Sequence, residues 1–238
     1  MLLTFEDRAS DSPFVERIWR SQSQHPGTFH SIAMSHWEMV VTRYNGNTIL
    51  TVRGPESKAT TLNLSTMGAE WLGIRFKVGT VMPYLQASGL VDENVNLPDA
   101  SSKSFWLNGS AWQFPTYENA DTFVDRLVRQ GLLVHNPVVE TALRGQLKDL
   151  SIRTARRHFL RTTGLTRSTI RQIERARYAT ILLQQGVSIL DVVYEAGYFD
   201  QPHLTKSLKY FIGQTPTQIM EKNESEQLSF LYKTTPLG

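Results

Sequence analysis

Hydrophobic and polar positions change rhythm once along the chain, near Asn136-Pro137. Upstream, short apolar runs are broken by turn residues. The run from His36 to Tyr44, Asn45-Gly46, and the run from Asn47 to Arg53 predict a β-hairpin. Asn-Gly supplies the two positive-φ residues that a tight turn between strands needs. Residues 62–77 predict further strands. Trp71-Leu72-Gly73-Ile74-Arg75-Phe76 within them is apolar enough to be buried. From Gly79 to Gly109 the text is rich in Gly, Pro, Asn and Ser, as expected of long loops between short strands. A helix is expected from Asn119, its candidate cap, to Gly131, its candidate stop. Phe123, Leu127 and Val128 lie on one face of it.

After Pro137 the period becomes helical. Helices are predicted at about 138–147, 151–162, 166–184, 188–196, 200–211 and 215–222, with Gly145, Gly164, Gly186, Gly197 and Gly213 between them. There is a loose twofold echo. Residues 151–164 and 200–213 each run from a polar cap through a basic amphipathic helix and a Phe to a Gly.

Charge follows the same boundary. Residues 1–136 hold 11 Lys and Arg against 13 Asp and Glu, a net of −2; residues 137–238 hold 14 against nine, a net of +5. Within 141–210 the balance is 12 against five. A basic half beside a near-neutral one fits a polyanionic partner, although a solvated basic face would give the same count. The chain has no cysteine, which removes disulfides, thiolate metal sites and thiol nucleophiles. Its N-terminus carries acids and no long apolar run, unlike a signal peptide, and no stretch approaches about 20 apolar residues. A cytoplasmic location is expected.

Residues 187–217 hold the densest pattern. Ser188 and Asp191 open a helix as a Ser-x-x-acid cap, and Ile189, Val192, Val193 and Ala196 form its buried stripe. Gly197 allows a tight turn, and Asp200 caps the next helix. There Leu204, Leu208 and Phe211 fall inward, leaving Gln201, Pro202, His203, Thr205, Lys206 and Lys209 outward. A helix that enters the major groove needs this division: short polar groups for base edges at its N-terminal turn, and bases for phosphates.

From Ala196 to Pro216 the residues resemble the signature of AraC/XylS-type transcription regulators, which are bacterial DNA-binding proteins: small-Gly-aromatic, an Asp or Ser cap, Leu, a basic residue, an aromatic, then Gly-x-Thr-Pro. Residues 155–164 resemble the family's first helix-turn-helix unit, and 167–184 its linker helix. The resemblance implies an all-α double helix-turn-helix over 137–222, its two recognition helices reading successive major grooves about 34 Å apart. It also implies DNA contacts from Arg153, Arg156 and Arg157 in the first helix, and from Gln201, Pro202, His203, Thr205 and Lys206 in the second. Pro202 gives up a donor but is compatible with a first helical turn. The opening helix, around Val138–Gln146, has few family-like residues.

The same resemblance places a sensing or dimerising domain over 1–130, expected to be a β-rich, cupin-like barrel. The fold class is thus α+β with two domains. Trp19, Trp37, Trp71, Trp106 and Trp112 would be its core or line a ligand cavity. His25, His30, His36 and Glu38 lack the His-x-His spacing of a cupin metal site. Ser35-His36 makes no recognisable triad, and residues 68–74 lack the Lys of a phosphate loop. No catalytic residue, metal or cofactor is expected. The implied partners are double-stranded DNA, a small-molecule effector and RNA polymerase, with no membrane; monomer and homodimer both stay open. The tail from Leu228 to Thr235 is apolar enough to dock back on the first domain. The alternative is a cupin-like metal enzyme with a helical docking module. A third reading, an RNA-binding adaptor, lacks aromatic stacking platforms on 200–209.

Overall fold

The computed structural model describes residues 3–64, 67–85, 87–136, 139, 141, 152–221 and 226–228. Two Asn-Gly pairs shape the β-rich part. Strands β4 (Glu38–Tyr44) and β5 (Asn47–Arg53) pair in register from Glu38↔Arg53 to Tyr44↔Asn47. The two residues between them, Asn45 and Gly46, have φ of 49° and 77°, the mirror-image turn that matches strand twist. Asn108 and Gly109, at 48° and 75°, make the same turn between β11 (Ser104–Leu107) and β12 (Ser110–Gln113).

The main sheet has six strands in the order β1-β2-β7-β4-β5-β9, adding β1 (Leu3–Arg8), β2 (Val15–Ser23), β7 (Glu70–Phe76) and β9 (Asn94–Asn96). Its neighbours pair antiparallel. Smaller sheets are β10 (Asp99–Ser101) with β11 and β12, β8 (Thr80–Val81) with β13 (Val134–His135), and β3 (Gly27–Ser31) between β6 (Thr60–Leu64) and β14 (Glu226–Leu228). The expected barrel does not close. Among the described residues the main sheet ends on β1 and β9, and the remaining strands pair in separate sheets. The tail does return in part: β14 lies parallel to β3, Leu228 opposite His30. Residues 229–235 lie outside the described residues.

Alternation along the central strands buries one face. Ile18, Met39, Val41, Leu50, Val52, Leu72, Ile74 and Phe76 form a core with Phe105, Trp112 and helix α1 (Ala120–Arg129). Trp112 meets Phe123 edge-on at 5.9 Å, and Trp37 stacks on Phe76 at 4.1 Å. Asn119 stands at the cap position of α1 but makes no side-chain cap; its Oδ1 instead accepts from the Thr116 N–H. Gly131 ends the helix at φ 67°, as expected. On the opposite face Gly73 has no side chain, and Trp19 lies across it. A Cβ at 73 would stand 2.0 Å from the indole. Trp19 Nε1 donates to Glu38 Oε2 at 3.2 Å, and Arg75 and Arg53 flank the same buried carboxylate.

The helical part contains α2 (Ile152–Thr163), α3 (Arg167–Gln184), α4 (Ile189–Glu195), α5 (Gln201–Phe211) and α6 (Pro216–Glu221). The expected helix at 138–147 lies outside the described residues, apart from Val139 and Thr141. Each of α3, α4 and α5 starts on a side-chain cap: Thr166, Ser188 and Asp200. Phe159, Ile170, Ile173, Ala179, Leu183, Val192, Leu204, Leu208 and Ile212 are buried together.

That core is completed by the β-rich part. Ile32 and Ala33, in the strap between β3 and β4, are buried in it, as is Val139. The Ala33 N–H donates to the Phe211 carbonyl at 2.7 Å, and the Ala59 N–H to the Tyr210 carbonyl at 2.9 Å. These are carbonyls at the end of α5, which the helix itself leaves without partners. Ser35 Oγ donates to Glu174 Oε1 of α3 at 3.0 Å. Next to it His36 Nε2 stands 2.6 Å from Glu16 Oε2. Arg177 of α3, 2% exposed, is buried at this junction rather than presented outward with the other basic residues. Burial pushes the Glu16 carboxyl up, but the charge and hydrogen bond of His36, with Arg75 and Arg177, overcome it and hold it at about 2.

Two stability effects follow. Gly73→Ala must displace Trp19 and is expected to cost about 1–3 kcal/mol, read as a lower urea midpoint with altered tryptophan emission. For Glu16 the folded pKa lies below the usual 4.5. Its contribution is therefore complete above about 4.5, and is lost as pH falls toward about 2. Glu16→Gln is expected to lower stability by about 3 kcal/mol at neutral pH, with the gap from wild type closing across that window. A gap independent of pH would contradict the ion-pair account.

Candidate nucleic-acid interface

The second helix pair is built from local signals. Ser188 Oγ accepts from the Asp191 N–H at 3.2 Å and starts α4, and Val192 and Ala196 face the core. Gly197, at φ 67°, turns the chain. Asp200 Oδ1 then accepts from the His203 N–H at 2.8 Å, with Pro202 in the first turn where no backbone donor is needed. Leu204 and Leu208 are fully buried and Phe211 is 7% exposed.

This burial fixes what α5 shows outside. Gln201, Pro202, His203, Lys206 and Lys209 are exposed, and Thr205 is half-buried. An open cleft of about 1220 Å³ runs beside them, lined also by Gln172 and Arg175 of α3. The turn behind the helix is braced. The buried Tyr198 hydroxyl shares a 3.0 Å hydrogen bond with Ser207 Oγ, and burial pushes its pKa up. The Arg175 guanidinium lies 4.4 Å over the Tyr198 ring and donates to the Gly197 carbonyl at 3.3 Å. The Tyr198 and His203 rings meet in a T-shape, their centroids 5.2 Å apart.

In the first unit, Arg153, Arg156 and Arg157 are exposed along α2, as are Leu160 and Arg161. Phe159 is buried and Thr163 Oγ1 donates to its carbonyl at 2.9 Å. The sequence-derived residues therefore form two exposed polar and basic faces, one on α2 and one on α5. Gln172 and Arg175 were not singled out in the sequence. Their i,i+3 spacing on α3, next to the motif, was the available signal. The exposed side of α4 is different: Leu190, Tyr194, Asp191 and Glu195 give it apolar and acidic character, unsuited to a polyanion.

Elsewhere the candidate groups do not converge. His36 pairs with Glu16, His30 with Thr61, and Glu38 with Trp19 and Arg75. Among the described residues no group of three or more His, Asp or Glu is placed to hold a metal. No described helix is long and apolar enough to cross a membrane. Trp37 and Trp112 are core, whereas Trp106 is 46% exposed.

A family model described as a helix-turn-helix domain matches residues 148–222. The chain is also 33% identical over 88 residues to the HTH-type transcriptional regulator RipA of Corynebacterium glutamicum. That match covers 36% of this chain and 27% of the relative, so the chain spans about a quarter of the length of the curated relative it matches. No solved structure matches the chain. With the capped α4–turn–α5 unit and the outward polar face of α5, these matches identify residues 148–222 as a helix-turn-helix domain and support its AraC-type character.

Proposed function

We propose that this chain is a sequence-specific, double-stranded DNA-binding transcription regulator whose grip on DNA is controlled through its β-rich part. The division of α5 carries the reading. Its apolar residues are consumed by the core, while Gln201, His203, Thr205 and Lys206 are left on the open side beside Arg175. In this reading Gln201, Pro202, His203 and Thr205 meet base edges, and Lys206 meets phosphate. Arg153, Arg156 and Arg157 serve the adjacent groove from α2.

The contacts of the strap with α5 and α3 support control from the β-rich part. A ligand of that part, such as a small-molecule effector, that moved residues 31–36 would change how the second recognition helix is held. It would thereby change the fraction of molecules able to bind DNA. A sensing role for the β-rich part belongs to this proposal. So do contact with RNA polymerase and the choice between monomer and homodimer.

Selection of bound fragments from random duplex DNA at near-physiological salt tests the reading. Two information-rich blocks about one helical turn apart are expected. One block would restrict reading to a single unit, and no enrichment would contradict the proposal. On the enriched site Gln201→Ala is expected to cost about 1–3 kcal/mol and to relax preference at one base pair. Arg157→Ala should weaken binding and shallow the salt dependence by about one unit of slope. Unchanged affinity and slope would remove Arg157 from the interface.

A further inference from the structure

The N-terminal turn of α5 holds two backbone donors with two side chains. Asp200 Oδ1 accepts from the His203 N–H at 2.8 Å, and His203 Nδ1 accepts from the Phe199 N–H at 3.4 Å. It is related to a capping box, but the side chain at the third helical position is an imidazole and reaches past the cap residue Asp200 to the N–H of Phe199. The backbone N–H of Phe199 can only donate. Nδ1 must therefore offer a lone pair, and the proton of the neutral ring sits on Nε2. The ring plane is fixed as well. Tyr198 meets it in a T-shape at 5.2 Å and 82°, and Tyr198 is itself held by Ser207 and Arg175. His203 is exposed and lines the open cleft along α5.

We propose that His203 is a specificity-determining residue that presents one oriented donor, Nε2–H, to the base edge it meets. The site then carries there a base with a major-groove acceptor, guanine fitting best, and rejects cytosine. This rests on the DNA reading proposed above. Guanine offers N7 and O6 in the major groove, adenine N7 and thymine O4, whereas cytosine offers only its N4 amino donor. A histidine free to swap tautomers could also offer Nε2 as an acceptor, to the cytosine N4 amino group. The Phe199 amide removes that freedom, so the cap that starts the helix also sets what the helix reads.

Two variants separate this role from mere capping, because Gln and Glu at this position each carry a side-chain oxygen that can accept from a backbone N–H ahead of the helix. His203→Gln keeps an outward N–H donor; His203→Glu keeps the cap but turns the outward chemistry into an acceptor. Duplex selection with wild type and both variants is the test. Wild type and His203→Gln should disfavour cytosine at one position by about fivefold or more, and His203→Glu should lose or reverse that bias there alone. A tautomer measurement needs no DNA. In long-range ¹H–¹⁵N spectra of the full chain at mildly alkaline pH, the histidine signals that vanish in His203→Gln should show a protonated Nε2 and a bare Nδ1. The opposite tautomer, or a site whose every position is indifferent to His203→Glu, overturns the assignment while leaving the DNA reading intact. A wild-type chain that enriches no duplex overturns that reading and this assignment together.

Discussion

Two backbone hydrogen bonds fix the relation between the halves of this molecule. Phe211 and Tyr210 end α5 with carbonyls that the helix cannot satisfy, and the amides of Ala33 and Ala59 supply the donors. Ile32 and Ala33 are buried alongside, in the same core as Leu204, Leu208 and Ile173. Separating the β-rich part from α5 would expose that apolar surface and give up both hydrogen bonds to water. The junction also holds charges: Glu16 with His36, and Arg177 beside Glu174. Each pair lies within one half, while the Ser35 hydrogen bond to Glu174 and the influence of Arg177 on Glu16 cross between them.

This constraint gives the reading surface its character. α5 is positioned from behind by the strap, from the side by Arg175 and Tyr198, and at its start by Asp200 and His203. Such a helix presents its polar turn with little rotational freedom, as discrimination between base edges requires. It is also coupled to any event in residues 31–36 or 56–59. In the proposed regulator, control needs no large rearrangement, only a change at the end of the helix opposite its reading turn.

Much of this was legible in the sequence because the signals are local. Asn45-Gly46 fixed a hairpin and its register, and Asp200, Gly197 and the Leu204/Leu208/Phe211 spacing fixed α5 and its faces. Asn108-Gly109 carries the same turn chemistry as Asn45-Gly46, but the loop-rich composition around it obscured the hairpin. The open sheet was not legible. Closure depends on whether edge strands meet, and no residue pattern within β1 or β9 encodes that. Nor was the junction. Ala33 and Ala59 act through their backbone amides, which any residue but proline could supply, and Arg177 reads as one more base on a basic helix. The orientation of His203 depends on Phe199 only through a main-chain N–H, and so leaves no mark in residue type.

Native-state hydrogen exchange of the Ala33 and Ala59 amides tests the central claim most directly. If the junction holds α5, both amides exchange only with the opening of the helical core, at the protection of Leu208 and Ile212. Exchange of Ala33 and Ala59 at the rate of an exposed loop, with α5 still protected, would show that the two halves are not joined there and would contradict the account.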